Sequence, residues 1–215
     1  MLRVGLTGGV ACGKSTVARM MEEGGAFLIE ADVIAHDLMK PGEPVYTEVV
    51  KRFGREIVNQ NDGGSINRMK LADLAFDGGR IAELNQIVHP AVIQRQEEWM
   101  AEIGRREPEG IAVVEAALIV EAGVKNRFDK LVVVTCPENE KISRFVLRSA
   151  AADEARRLDS DSATREIKRR MAAQLPDEEK VRIANFIIDN SGTPEQTKTQ
   201  VDKVMQELRA LAAAV

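Results

Sequence analysis

The residues with the plainest chemical potential stand near the start of the chain. Gly8-Gly9-Val10-Ala11-Cys12-Gly13-Lys14-Ser15-Thr16 fits the pattern G-x-x-x-x-G-K-[ST]. Glycines let the backbone close around a phosphate, so that successive N–H groups and a helix N-terminus face its oxygens. In such a loop Lys14 neutralises charge on the β- and γ-phosphates of a nucleotide, and the Ser15 hydroxyl ligates magnesium. The alternative is a glycine-rich turn that carries Lys-Ser by coincidence. Placement favours the first reading: the motif follows an apolar run, 2–7, and opens a stretch, 14–21, with Val17, Met20 and Met21 at helical spacing. Gly8, Gly9, Ala11, Cys12, Gly13, Lys14, Ser15 and Thr16 are therefore the expected nucleotide-phosphate site.

Asp32 is the second candidate, in Glu30-Ala31-Asp32 after the apolar run 26–29. Ligands of doubly wound sheets bind beyond the carboxyl ends of the strands. An aspartate there is expected near the γ-phosphate, where it accepts a proton from an attacking hydroxyl. Locally it is also suited to cap a helix over 33–39, and the two roles can coexist. A guanine-reading N-K-x-D is absent, and the D-x-x-G at Asp189-Asn190-Ser191-Gly192 falls too late to be a GTPase switch.

These residues need a frame to hold them. Further strand candidates lie at 111–114, 131–135 and 186–188, all short and apolar and separated by helical stretches. Five such strands imply βαβ crossovers, hence an α/β fold with a parallel sheet covered by helices. From about Lys40 to Glu107 no strand is expected. Within it, 80–103 places Ile81, Leu84, Ile87, Val88, Val92, Trp99 and Ile103 along one helical side, with a kink or break expected at Val88-His89 before Pro90. The stretch 151–174 is expected to be helical, its basic clusters forming a solvated face. Thr193, Pro194 and Gln196 signal a capped final helix with Val201, Val204, Met205 and Leu208 inward.

Composition excludes several classes. The 215 residues suit one domain or one with an insertion. Thirty Lys and Arg against 34 Asp and Glu give a net charge of −4, which argues against a nucleic-acid or anionic-membrane binder. Two cysteines build no disulfide framework, and no apolar run is long enough for a transmembrane helix. The apolar start reads as a first strand and turn rather than a signal peptide, so the expected location is cytoplasmic.

V-G-L-T-G-G-V-A-C-G-K-S-T, E-A-D-V-I-A-H, L-N-Q-I-V-H-P and F-I-I-D-N-S-G together resemble the dephospho-CoA kinase family, in the family's order and over nearly the whole chain. That family transfers the γ-phosphoryl of ATP to the 3′-hydroxyl of the dephospho-CoA ribose. The resemblance implies a three-layer P-loop NTPase fold with a parallel five-stranded sheet, a helical substrate-binding insertion and a lid. It makes 1–215 one domain, with a P-loop core at about 1–39 and 108–215, a CoA-facing insertion at about 40–107 and a lid at about 144–175. It implies Mg2+ with ATP as donor, and ATP and dephospho-CoA as partners, with no nucleic acid or membrane; oligomeric state stays open.

Residue by residue, the resemblance makes Asp32 the catalytic base and Ala11 to Thr16 the ATP-phosphate contacts. His89 and Glu115 are implied on the substrate side, and Asn190 to Gly192 at the adenine through backbone and amide contacts. Arg144 and Arg148 share one helix face; a lid arginine, with Arg148 the first choice, is implied to stabilise transferring charge. The chain departs from the family in three places. Glu115-Ala116-Ala117 stands where the family reads D-x-P, so the proline is missing. The stretch from Arg148 to Gln174 is longer than the usual lid, which leaves Arg156 and Arg157 as further choices. Cys12 stands where serine or threonine is commoner. The simpler reading is a small residue tolerated in the loop; the sharper one is a thiol of depressed pKa whose oxidation or alkylation blocks ATP. Rival readings are a nucleoside-monophosphate or small-metabolite kinase of this fold, and a non-catalytic nucleotide-binding switch.

Overall fold

The computed structural model describes residues 1–59, 62–151 and 157–214, with the backbone alone at Phe76 and Asp77. Strands β1 (Leu2–Gly8), β2 (Phe27–Glu30), β3 (Ile111–Glu115), β4 (Lys130–Thr135) and β5 (Phe186–Asp189) form one sheet in the order β2-β3-β1-β4-β5. β1 pairs in parallel with β3 and β4, and β4 with β5. β3 and the middle of β4 are buried on every residue, as a parallel sheet covered on both faces requires. Each expected strand is present, one residue longer or shifted by one.

By its internal packing the chain divides into two compact units, Met1–Leu28 with Ile103–Val215, and Ile29–Glu102. In the first, α1 (Lys14–Glu23) and α9 (Pro194–Ala212) flank the sheet core. Val4, Val17, Met21, Val113, Val134 and Leu208 are at or near zero exposure there. α9 begins with the expected capping box: Thr193 accepts from the Gln196 N–H while Gln196 reaches back to the Thr193 N–H. Val201, Val204, Met205 and Leu208 are buried as the spacing demands. α6 (Glu138–Ala150), α7 (Ser160–Ala172) and the short α8 (Asp177–Arg182) complete this unit.

The second unit holds α2 (Ala31–Leu38), α3 (Pro44–Phe53), α4 (Arg68–Ala72) and most of α5 (Ile81–Arg106). Ile34, Leu38, Val49, Phe53, Ile57 and Leu71 form its apolar cluster. The cluster draws Ile34 and Leu38 of α2 together with Val45 and Val49, so this unit begins at Ile29, ahead of the boundary near Lys40 read from the sequence.

Three local expectations are corrected. Pro90 does not break its helix: α5 runs through it, with exposed His89 and Pro90 in mid-helix. Proline there removes only the bond to the carbonyl four residues back, and buried Val88, Val92, Met100 and Ile103 hold both halves in place. The inward stripe carries Gln96 and Met100, whereas Trp99 is half-buried. As expected, the described residues of the block from 40 to 107 form no strand, only an isolated antiparallel bridge of Val58 with Ile66. The helix expected over 151–174 starts at Ser160, where Asp159 accepts from the Ser162 N–H and caps it; 152–156 lie outside the described residues. No described helix is long and apolar enough to cross a membrane.

Candidate active site

The loop from β1 to α1 leaves the carboxyl end of the central strand, where successive connections turn to opposite sides of the sheet. Gly13 caps α1 in the left-handed region at φ 90°, and a Cβ on it would sit 2.0 Å from Asn190 Nδ2, so only glycine fits. Ala11 is also left-handed, at φ 58°. No acidic residue lies in the first turn of α1, which leaves the positive end of the helix dipole unopposed. Ser15 and Thr16 are exposed at that end. Lys14 Nζ crosses the loop and donates to the carbonyls of Gly8 and Gly9 at 3.3 and 3.2 Å. The arrangement is an anion cradle with one flexible cation.

Residues far away in sequence fix the cradle's far side. Buried Asn190 donates through Nδ2 to the Cys12 carbonyl at 2.8 Å and accepts from Thr197 Oγ1 at 2.8 Å. Arg144 of α6 donates to the Asn190 carbonyl at 2.7 Å and reaches the Cys12 carbonyl at 3.4 Å, while pairing with Glu140. The Asn190 amide, implied at the adenine by the family resemblance, is thus committed to bracing the loop. Gly192 lies beside a shallow open cavity of roughly 420 Å³ with Asp189, Ser191, Gln196, Thr199 and Gln200.

The other sequence candidates fall as follows. Arg144, not Arg148, reaches the loop; Arg148 lies one turn further along α6, exposed, with its guanidinium 5.5 Å from the Phe145 ring centre. Arg157 is exposed and Arg156 lies outside the described residues. Asp32 is the second residue of α2, and Glu30 holds the cap position, so Asp32 is no N-cap; its carboxylate is exposed. Asp32 and His89 belong to the helical unit, and the phosphate loop to the sheet unit. Glu115 ends β3 buried, and the carbonyl of Ala117, at the missing proline, accepts from Thr7 Oγ1. Cys12 is fully buried, and burial pushes its thiol above the ordinary value, outweighing the pull of Lys14. Of the two readings of Cys12, the thiol of depressed pKa is therefore overturned and the small residue tolerated in the loop stands: the helix end acts on a group already sealed in the core.

Lys141, Gln174 and Asp177 also touch the loop and were not among the candidates. Lys141 carries a signal in hindsight: it shares the inward face of α6 with Phe145 and Ser149, an unusual place for an ammonium.

The 2-3-1-4-5 parallel sheet with this loop at the end of its central strand defines a P-loop kinase. Solved structures share this fold: a Thermus thermophilus protein, TT1252, matches at TM-score 0.73 and 28% identity over 96% of this chain and 97% of its own. A shikimate kinase from Bacteroides thetaiotaomicron shares the fold at TM-score 0.54 and 14% identity, over 96% and 98%. The sequence profile of the dephospho-CoA kinase family matches residues 2–196. The dephospho-CoA kinase of Aquifex aeolicus is 39% identical over 97% of this chain and 98% of its own, and that of Corynebacterium efficiens 37% over the same shares. The chain belongs to the dephospho-CoA kinase family.

Proposed function

We propose that this chain transfers the γ-phosphoryl of ATP to the 3′-hydroxyl of dephospho-CoA, giving coenzyme A and ADP, the last step of coenzyme A biosynthesis. The family match over residues 2–196 carries this reading. The open, acid-free N-terminus of α1 with Lys14 across the loop supports the ATP half of it.

The phosphates of ATP lie against Ala11 to Thr16, and Lys14 exchanges its loop carbonyls for phosphate oxygens. The Ser15 hydroxyl, exposed in the first turn of α1, would hold a magnesium ion brought by ATP, which would supply positive charge beside the phosphates. Asp32 takes the proton of the 3′-hydroxyl as its oxygen bonds to the γ-phosphorus and the bond to the ADP oxygen breaks. Arg144 takes the part first given to Arg148, because its guanidinium already borders the loop. The helical insertion binds the CoA moiety, with His89 on that side, and the segment from about 144 to 175 is the lid that excludes water.

An acceptor panel in an ADP-release assay tests this: dephospho-CoA against nucleoside monophosphates, shikimate and gluconate, with parent chain and Asp32→Asn. Acceptor-dependent release is expected with dephospho-CoA alone. Asp32→Asn is expected to cut turnover by about a hundredfold or more while ATP affinity holds. Release driven by another acceptor, or by none, overturns the substrate; full turnover in Asp32→Asn overturns the base.

A further inference from the structure

We propose that the segment 174–177 clamps the first residues of the phosphate loop, and that Gln174 is a positioning residue for ATP through its hold on the Val10 N–H. The proposal rests on the kinase reading above and concerns the loop's alignment. Gln174 Oε1 accepts from the Val10 N–H at 2.9 Å, across 164 positions of sequence. Three residues on, Asp177 Oδ2 meets Lys141 Nζ at 2.5 Å, and the Lys141 side chain is only 9% exposed. This pair occupies the space of a side chain on Gly9: a Cβ there would lie 2.8 Å from Lys141 Nζ and 3.0 Å from Asp177 Oδ1. The segment is itself anchored from behind. Leu175 N–H donates to Glu121 Oε1 at 3.1 Å, and the same oxygen lies 2.7 Å from the fully buried Lys180 Nζ.

Of two consecutive loop residues, Val10 is thus held by the Gln174 side chain, and Gly9 is hemmed in by the Lys141–Asp177 pair. A phosphate loop works by aiming N–H groups, so any that does not face the ligand needs another acceptor to keep the turn in one shape. Gln174 supplies that acceptor at Val10, directly before the residues assigned to ATP. The segment follows α7 without a break, so the end of the expected lid and the phosphate loop are one mechanical unit at this point. An uncharged acceptor suits the place, since a carboxylate would repel the nucleotide it helps to seat.

The test uses the full chain with Gln174→Met, similar in length but without the acceptor, and Gln174→Glu, which keeps it. Amide exchange followed by NMR in ATP-free protein is expected to accelerate at Val10 by about threefold to tenfold in Gln174→Met and to stay at the parent rate in Gln174→Glu. In kinetics, Gln174→Met is expected to raise KM for ATP by a similar factor with KM for dephospho-CoA unchanged. Unchanged Val10 exchange in Gln174→Met overturns the clamp, and so does a parallel rise of both KM values. If the parent chain does not phosphorylate dephospho-CoA, the exchange rates and calorimetric ATP binding still decide the matter. Failure of the substrate reading and failure of the clamp are therefore distinguishable.

Discussion

The phosphate loop and the helical unit Ile29–Glu102 are stabilised by opposite means. The side chains that reach the loop from distant parts of the chain do so by polar contacts: Asn190, Arg144 and Gln174 meet Cys12 or Val10 across 178, 132 and 164 positions. The helical unit is held by an apolar cluster around Phe53, Ile57 and Val49, with its ion pairs outside, as in Glu83 bound by Arg52 and Arg80. The contrast follows from what each part must present. A loop that offers backbone N–H groups to a ligand keeps only part of itself, such as the Cys12 side chain, in hydrocarbon, so its spare carbonyls and amides need side-chain partners. Helices satisfy their own backbones and need only cover an apolar stripe.

The contrast can be broken at either end. Phe53→Ala should have the largest effect, about 3–5 kcal/mol in urea unfolding of the full chain, because it empties the centre of an apolar cluster with Arg80 stacked over the ring. A loss under about 1 kcal/mol would show that this unit does not depend on its core. Asn190→Leu should cost less, about 1–3 kcal/mol, by stranding Thr197 Oγ1 and weakening the hold on Cys12. It should also lower ATP affinity severalfold, and unchanged ATP affinity would dissolve the distinction drawn for the loop.

The smallest effect lies in the outer ion pairs of the helical unit. Hydrogen bonds from Arg80 and then Arg52 hold the Glu83 carboxyl down at about 2, against an ordinary 4.5. With the folded value depressed, its contribution is complete above pH 4.5 and fades as pH falls towards 2. A carboxyl titration followed by NMR should place Glu83 near 2, and Arg80→Ala should move it back towards 4.5. A midpoint near 4.5 in the parent chain would remove the ion pair from the account. Solvent exposure keeps the stability effect slight, in contrast to the buried bonds around Asn190.

Much of this molecule is local and so could be read from neighbours in the chain. The G-x-x-x-x-G-K-S loop, the valine-rich strands and the Thr193–Gln196 box depend on residues within a few positions of each other. Where a local rule misled, packing had the last word. Pro90 stays inside α5 because the apolar face on both sides is buried, and the Cys12 thiol is raised because the core closes over it. Glu30 rather than Asp32 stands at the cap position of α2, because the helix begins directly at the end of β2.

By itself, then, the sequence determined the strand and helix periodicity, the G-x-x-x-x-G-K-S motif of residues 8–16 and the resemblance to one kinase family. All three reside in residue types and short spacings. Only the tertiary structure decided which side chains meet the loop: Arg144 in preference to Arg148, Asn190 as a brace, and Lys141, Gln174 and Asp177. Those meetings join residues more than a hundred positions from the loop, and they exist because the 2-3-1-4-5 strand order carries β4, β5 and the helices between them back beside β1.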